Sequence, residues 1–188
     1  MDALSRAKLS LEGLSVGDAF GQMFFTDNET IREHLGNRTL FDKPWYLTDD
    51  TIMSLAIVDT LKAFNEINQD HLAKLFGQNY LKNPRRGYGG TAHGMLQRFS
   101  NGDDWRHVAP QAFGGIGSCG NGAAMRAGPI GAYFADDLEQ VKTEAWKSAV
   151  VTHNHLEGQV GALAIALAAA WAWRNASNDN NAQPMLEF

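Results

Sequence analysis

Cysteine, basic charge, long apolar runs and strand-like alternation are all scarce in this chain, and each shortage excludes something. The sole cysteine among 188 residues is Cys119. No disulfide can form within the chain, and a reducing, cytoplasmic setting is expected. Lys and Arg number 16 against 21 Asp and Glu, a formal net charge of -5. No basic cluster offsets that deficit, which argues against a nucleic-acid partner. The longest apolar run, residues 160–173, falls short of the roughly 20 residues a membrane span needs, and the first residues, Met1-Asp2-Ala3-Leu4-Ser5-Arg6, carry no apolar export segment. No membrane partner is expected. Alternation of period two is missing, so no strand is predicted.

What remains is a composition of 44% hydrophobic and 20% charged residues, ordinary for a single globular domain. Its periodicity is helical, and the predicted class is all-α. Leu4, Ala7, Leu11 and Leu14 open a helix that runs into Gly13, Gly17 and Gly21, where close backbone approach is the expected reason for glycine. Residues 26–45 have no sustained period and read as a long loop with at most one helical turn. A helix from Thr48 or Asp49 to about Asn65 follows, then one capped by Asp70 and stopped at Asn83-Pro84, and a short one capped by Thr91. Residues 123–134 have helical composition, with Pro129 expected to kink the helix or start a new turn. Asp136 or Asp137 caps a further helix, Thr152-His153-Asn154-His155 interrupts, and an alanine-rich helix runs from Leu156 to Arg174. The domain is thus residues 1–174, and the asparagine-rich residues 175–188 read as disordered.

Chemistry concentrates first at Leu47-Thr48-Asp49-Asp50-Thr51, where Thr48 sits as an N-cap and two carboxylates open a helix. Asp49 and Asp50 would complement the helix dipole, worth about 0.3–1 kcal/mol each. Alternatively, Thr48, Asp49 and Asp50 supply oxygen ligands to a hard cation such as Mg²⁺, Mn²⁺ or Ca²⁺, a donor set that disfavours zinc. Second is the glycine-dense stretch from Gly114 to Gly122. Leading into a helix, it would hold phosphate on backbone N–H groups, with Ser118 and Asn121 adding side-chain bonds, or serve only as a connection. It is neither a Rossmann fingerprint nor a P-loop, since no strand precedes it and no Gly-Lys-Ser/Thr ends it. Cys119 has no evident base partner and reads as a structural or incidental thiol. His153 and His155 have the wrong spacing for one helix face, and one of them capping a helix end is the simpler role. Tyr88, in Arg85-Arg86-Gly87-Tyr88-Gly89-Gly90, would stack on a base or ribose, or anchor its loop to the core.

Five segments occur in a telling order: Gly17-Asp18-Ala19-Phe20-Gly21, Leu47-Thr48-Asp49-Asp50-Thr51, Arg86-Gly87-Tyr88-Gly89, Gly117-Ser118-Cys119-Gly120-Asn121-Gly122-Ala123-Ala124-Met125-Arg126 with Pro129-Ile130-Gly131, and Thr152-His153. Together they resemble the ADP-ribosylglycohydrolase family, the type that includes dinitrogenase reductase-activating glycohydrolase and the ADP-ribosyl-acceptor hydrolases. The resemblance implies a compact multi-helix bundle and a dinuclear Mg²⁺ or Mn²⁺ centre. Thr48, Asp49 and Asp50 would be the N-terminal half of that centre, with Asp49 and Asp50 catalytic. Gly117, Ser118, Cys119, Gly120, Asn121 and Gly122 would hold the phosphates and ribose of ADP-ribose, with His153 near the ligand. The implied reaction is hydrolysis of a glycosidic bond at the ribose anomeric carbon of an ADP-ribosylated protein or small molecule.

Family members carry a further Asp-x-Asp-Thr/Ser motif toward the C-terminus, absent from these 188 residues. The bundle is therefore expected to lack the family's C-terminal helices and to have an unfinished core, open to homo-oligomerisation. Phe25 stands where many members have a Glu. A catalytically inactive relative that binds ADP-ribose or a nucleotide is the alternative expectation.

Overall fold

A computed structural model describes residues 1–42 and 44–176. Of the expected disordered tail, residues 175–188, the first two form a turn at the end of the last helix and residues 177–188 lie outside the described part. Nine α-helices appear among the described residues, with no strand: α1 Ala3–Gln22, α2 Asn28–Asn37, α3 Asp49–Phe64, α4 Gln69–Lys82, α5 Gly90–Ser100, α6 Trp105–Val108, α7 Gly128–Tyr133, α8 Leu138–Val150 and α9 Leu156–Arg174. A distorted 3₁₀ segment, Ala109–Gly115, follows α6 directly. The all-α prediction holds.

Helix starts follow local capping chemistry. Asp2, Asp27, Thr48, Asn68, Asp104, Asp137 and His155 each accept a hydrogen bond from a backbone N–H in the first turn of the helix they precede. Asn68 rather than Asp70 therefore caps α4. Asp70 instead accepts from Trp105 Nε1 at 2.8 Å and Arg106 Nη1 at 2.7 Å. Thr91 lies inside α5, whose cap is Gly89 without a side-chain bond. Asp137 takes the α8 cap, while Asp136 pairs with the buried Arg6 at 2.7 Å.

Two larger corrections concern the loop at 26–45 and the helix at 123–134. The first contains the full helix α2, none of whose residues is buried. It is polar, with Ile31 and Leu35 its only large apolar side chains; Asp27 caps its start, Arg38 ends it in the left-handed conformation (φ 52°), and His34 stacks on Phe41. In the second, residues 123–126 are turn, and α7 starts only at Gly128, with Pro129 in its first turn as expected, where a missing N–H costs nothing.

The core gathers Ile57, Leu61, Leu72, Phe76, Leu96, Ile130 and Val141, each almost fully excluded from solvent. α7 packs against both α1 and α9, while α3 packs against α1 and α4. Close approach by glycine is real but lies elsewhere than in α1. A Cβ at Gly131 would run into the Ala166 carbonyl oxygen, and one at Gly77 would lie 2.6 Å from Ser100 N. Gly13, Gly17 and Gly21 have nothing within 4 Å of such an atom, so α1 turns its glycine face to open space. α9 buries Ala162, Ala166 and Ala170 at helical spacing, yet its outer face leaves Leu156, Val160 and Ile165 exposed.

Candidate functional site

The entry to α3 is built by a residue thirty positions upstream. Asp18 Oδ2 accepts from Thr48 N (2.8 Å), Thr51 N (3.3 Å) and Thr51 Oγ1 (2.6 Å), and its Oδ1 accepts from Thr48 Oγ1 (2.6 Å). Thr48 therefore caps α3 while its own hydroxyl proton is held by Asp18. With Thr48 and Thr51 turned to Asp18, the carboxylates of Asp49 and Asp50 border the open cleft. Neither has an ion-pair partner among the described residues.

Electrostatics reflect that crowding. Burial first, then Asp50 and Asp18, push the Asp49 carboxyl up to about 6, and burial followed by Asp18 raises Asp50. Arg86 Nη1 donates to the Leu47 carbonyl at 2.8 Å and ties the 85–89 loop to the approach of α3. Gly87 (φ +90°) brings that loop against the carboxylates, since a Cβ there would lie 3.1 Å from Asp49 Oδ1. Tyr88 itself is buried, edge-on to Tyr80 at 5.4 Å, and burial pushes its phenol up to about 12. It anchors the loop and has no open ring face for a base.

The glycine loop forms the opposite wall. Ala112 is extended while Phe113, Gly114, Gly115 and Gly117 take positive φ. Gly117 N closes the turn on the Ala112 carbonyl at 2.9 Å. At Gly117 (φ +85°) a Cβ would also lie 2.7 Å from His155 N, so both conformation and space require glycine. Gly120 N donates to Ser118 Oγ at 3.2 Å, and Cys119 is exposed. The loop passes into the turn at 121–126, not straight into a helix, so the expected helix dipole behind it is missing.

His153 is buried against this loop. Gly122 and Gly158 give it room, with a Cβ on either lying 3.0 Å from the ring. Burial, and then the Arg126 charge, depress its pKa to about 3, so the imidazole is neutral near physiological pH. His155 does not join it, because its Nδ1 caps α9 by accepting from Glu157 N at 3.2 Å.

Two hollows result. One, of about 550 Å³, is lined by Gly17, Asp18, Phe25, Thr48, Asp49 and Asp50 among others. The other, of about 200 Å³, is lined by Phe113, Ser118, Gly120, Gly122, Arg126 and His153 among others. They share Asp49, Gly89, Asn121 and Met125, and so adjoin. The distant segments 17–21, 47–51, 86–89, 117–126 and 152–153 thus surround one continuous cleft.

Sequence reading assigned no role to Asp18, Phe113 or Arg126. Phe113 is 57% exposed at the rim, in a left-handed conformation that a bulky residue rarely adopts. Phe25 is 86% exposed and lines the carboxylate hollow. The nearby Asp27 is committed to capping α2 through Glu29 N and Thr30 N.

For a cation, the donor chemistry fits in kind: Asp49 and Asp50 are ion-pair-free oxygens whose raised pKa values mark a negative charge that a hard cation would relieve. Among the described residues no group of three or more His, Cys, Asp or Glu side chains gathers around one point, so these residues supply a partial ligand set.

Comparison with known proteins identifies the family. The chain is 34% identical over 182 residues to ADP-ribosylhydrolase ARH3 of Xenopus tropicalis, covering 90% of this chain and 51% of that protein. It is 31% identical to ADP-ribosylhydrolase ARH3 of Homo sapiens, covering 95% of this chain and 53% of that protein. With the ADP-ribosyl-[dinitrogen reductase] glycohydrolase of Rhodospirillum rubrum it shares 32% identity, covering 80% and 52%. The chain spans about half the length of these curated relatives. The ADP-ribosylglycohydrolase family matches residues 1–187, and the chain belongs to that family.

Proposed function

We propose that this cleft binds ADP-ribosyl ligands, with the pyrophosphate on the loop at residues 117–122 and the ribose toward Asp49 and Asp50. The observation that carries the reading is the adjacency of the two hollows through Asp49 and Asn121, one walled by glycine backbone and the other by carboxylates. Backbone N–H groups in a strained glycine turn suit phosphate oxygens. Phe113 offers an exposed ring to a base at the rim, the role first considered for Tyr88. A reducing, cytoplasmic setting belongs to the proposal, because the exposed Cys119 thiol persists there.

Asp49 and Asp50, with Thr48 beside them, would hold Mg²⁺ or Mn²⁺, consistent with a site in which one or two carboxylates leave the remaining positions to water and substrate oxygens. Such a cation supplies orientation of ribose hydroxyls and acidifies a nearby water. In the reading proposed, Asp49 and Asp50 fix the ribose end of the ligand and the glycine loop its phosphates, so the glycosidic bond lies over the carboxylates. The reaction is hydrolysis at the anomeric carbon of an ADP-ribosylated protein or small molecule, and a dinuclear centre would need ligands beyond Thr48, Asp49 and Asp50.

Release of free ADP-ribose from an ADP-ribosylated peptide in the presence of Mg²⁺ or Mn²⁺, lost in Asp49→Ala, tests this. Phe25 favours a second reading. An exposed phenyl ring in the carboxylate hollow neither accepts a proton nor binds a cation. Binding without release would establish that the chain holds the ligand without cleaving it.

A further inference from the structure

Arg126 is fully buried, yet no carboxylate pairs with it among the described residues. A guanidinium removed from water normally has an ion-pair partner. Here its hydrogens go to neutral acceptors: Nη1 to the Gly122 carbonyl (2.9 Å), Nη2 to the Ser148 carbonyl (2.7 Å) and Thr152 Oγ1 (2.9 Å), and Nε to Ser148 Oγ (3.3 Å). The guanidinium also faces the Phe76 ring, 4.7 Å from Cζ. Burial lowers its pKa to about 9, which leaves it charged at neutral pH.

These bonds have a direction. Arginine only donates, so Thr152 Oγ1 receives a hydrogen from Arg126 and keeps its own hydrogen available to His153 Nδ1, 2.7 Å away, the arrangement in which the hydroxyl both accepts and donates. An Nδ1 that accepts leaves the proton of the neutral imidazole on Nε2. That edge of the ring faces the glycine loop: Cβ atoms built on Gly122 and Gly120 would lie 3.4 and 3.9 Å from Nε2.

We propose that Arg126 is a positioning residue: through Thr152 it fixes His153 as an Nε2–H donor toward the loop, and its uncompensated charge behind the loop attracts the phosphates of the ligand. The loop thereby gains positive potential without a cation exposed in the cleft. A buried charge acts strongly at short range because the medium around it is weakly polarisable. The attraction to phosphate rests on the ADP-ribose reading above, whereas the orientation of His153 does not.

The experiment uses the full 188-residue chain and two readouts. Imidazole ¹⁵N shifts of His153 in the unliganded protein report the tautomer, and calorimetry with ADP-ribose, ADP and adenosine reports the charge. Wild type is expected to show the Nε2–H tautomer. Thr152→Val, similar in shape, should lose that fixed tautomer, and Thr152→Ser should keep it. Arg126→Gln, which removes the charge, should weaken ADP-ribose and ADP by roughly tenfold or more while leaving adenosine unchanged, and Arg126→Lys, which keeps the charge, should weaken them less. An Nδ1–H tautomer in wild type, or one that Thr152→Val leaves unaltered, overturns the orientation role. Equal loss for adenosine and ADP overturns the phosphate-directed charge. Wild type that binds none of the three overturns the ADP-ribose reading and the phosphate role together, and the tautomer result still decides the orientation. Thermal unfolding of each variant separates these effects from collapse of the fold, with Thr152→Ser as the folded control.

Discussion

Asp18 and Thr51 lie thirty-three residues apart, yet a 2.6 Å hydrogen bond from the Thr51 hydroxyl joins them, and the same carboxylate oxygen takes two N–H groups at the start of α3. A carboxylate at the positive end of a helix is favourable in itself. Here it also takes the protons of both threonine hydroxyls, so the oxygens left to the cleft are acceptors, the Asp49 and Asp50 carboxylates and the Thr48 lone pairs. Asp18→Ala removes all four of these bonds. It should cost about 2–3 kcal/mol in urea denaturation, against about 1 kcal/mol for Thr51→Val.

Glycines in this chain divide by what surrounds them, and substitution should divide the same way. Gly131→Ala drives a Cβ into the Ala166 carbonyl and should destabilise by about 3 kcal/mol or more. Gly13→Ala, in α1 with open space around it, should stabilise by about 0.5–1 kcal/mol. Midpoints of chemical denaturation for the pair check both signs.

Acid should weaken the fold through His153. Its folded pKa of about 3 lies below the ordinary 6.5, so the unfolded chain takes up a proton first. Stability present at neutral pH is therefore lost as pH falls below the unfolded value, by about 2 kcal/mol between about pH 7 and pH 5. His153→Gln should flatten that slope.

Asp49 works in the opposite sense. Its folded pKa of about 6 lies above the ordinary 3.8, so its contribution is favourable at low pH and is lost as pH rises through about 6. In chelator, Asp49→Asn should raise the Tm above that pH and leave it nearly unchanged well below. Millimolar Mg²⁺ or Mn²⁺ should raise the Tm of wild type at neutral pH and should do so much less for Asp49→Asn or Asp50→Asn.

Much of this was legible from residue order, and the exceptions have physical causes. α3 is bounded as expected because its caps, Thr48 and Asn65, are local. α2 escaped notice because it is short and polar, with Ile31 and Leu35 its only large apolar residues. Residues 123–126 have helical composition, but there the chain turns to hold Arg126 beneath the loop, a long-range demand that overrides propensity. Glycines in α1 looked like close-approach sites, yet spacing alone does not tell a crowded face from an open one. The residues that line the cleft were visible as clustered carboxylates and glycines. The three missed residues act through partners or exposure set by the fold: Asp18 across thirty residues, Arg126 through Thr152, and Phe113 through a left-handed backbone.

The most direct test of the central claim is calorimetric titration of ADP-ribose into the 188-residue chain with Mg²⁺ present. Saturable binding at one site, weakened roughly tenfold or more by Gly117→Ala and by Asp49→Ala, is the predicted result. Absence of binding to a folded wild type, or affinity indifferent to both substitutions, would contradict it.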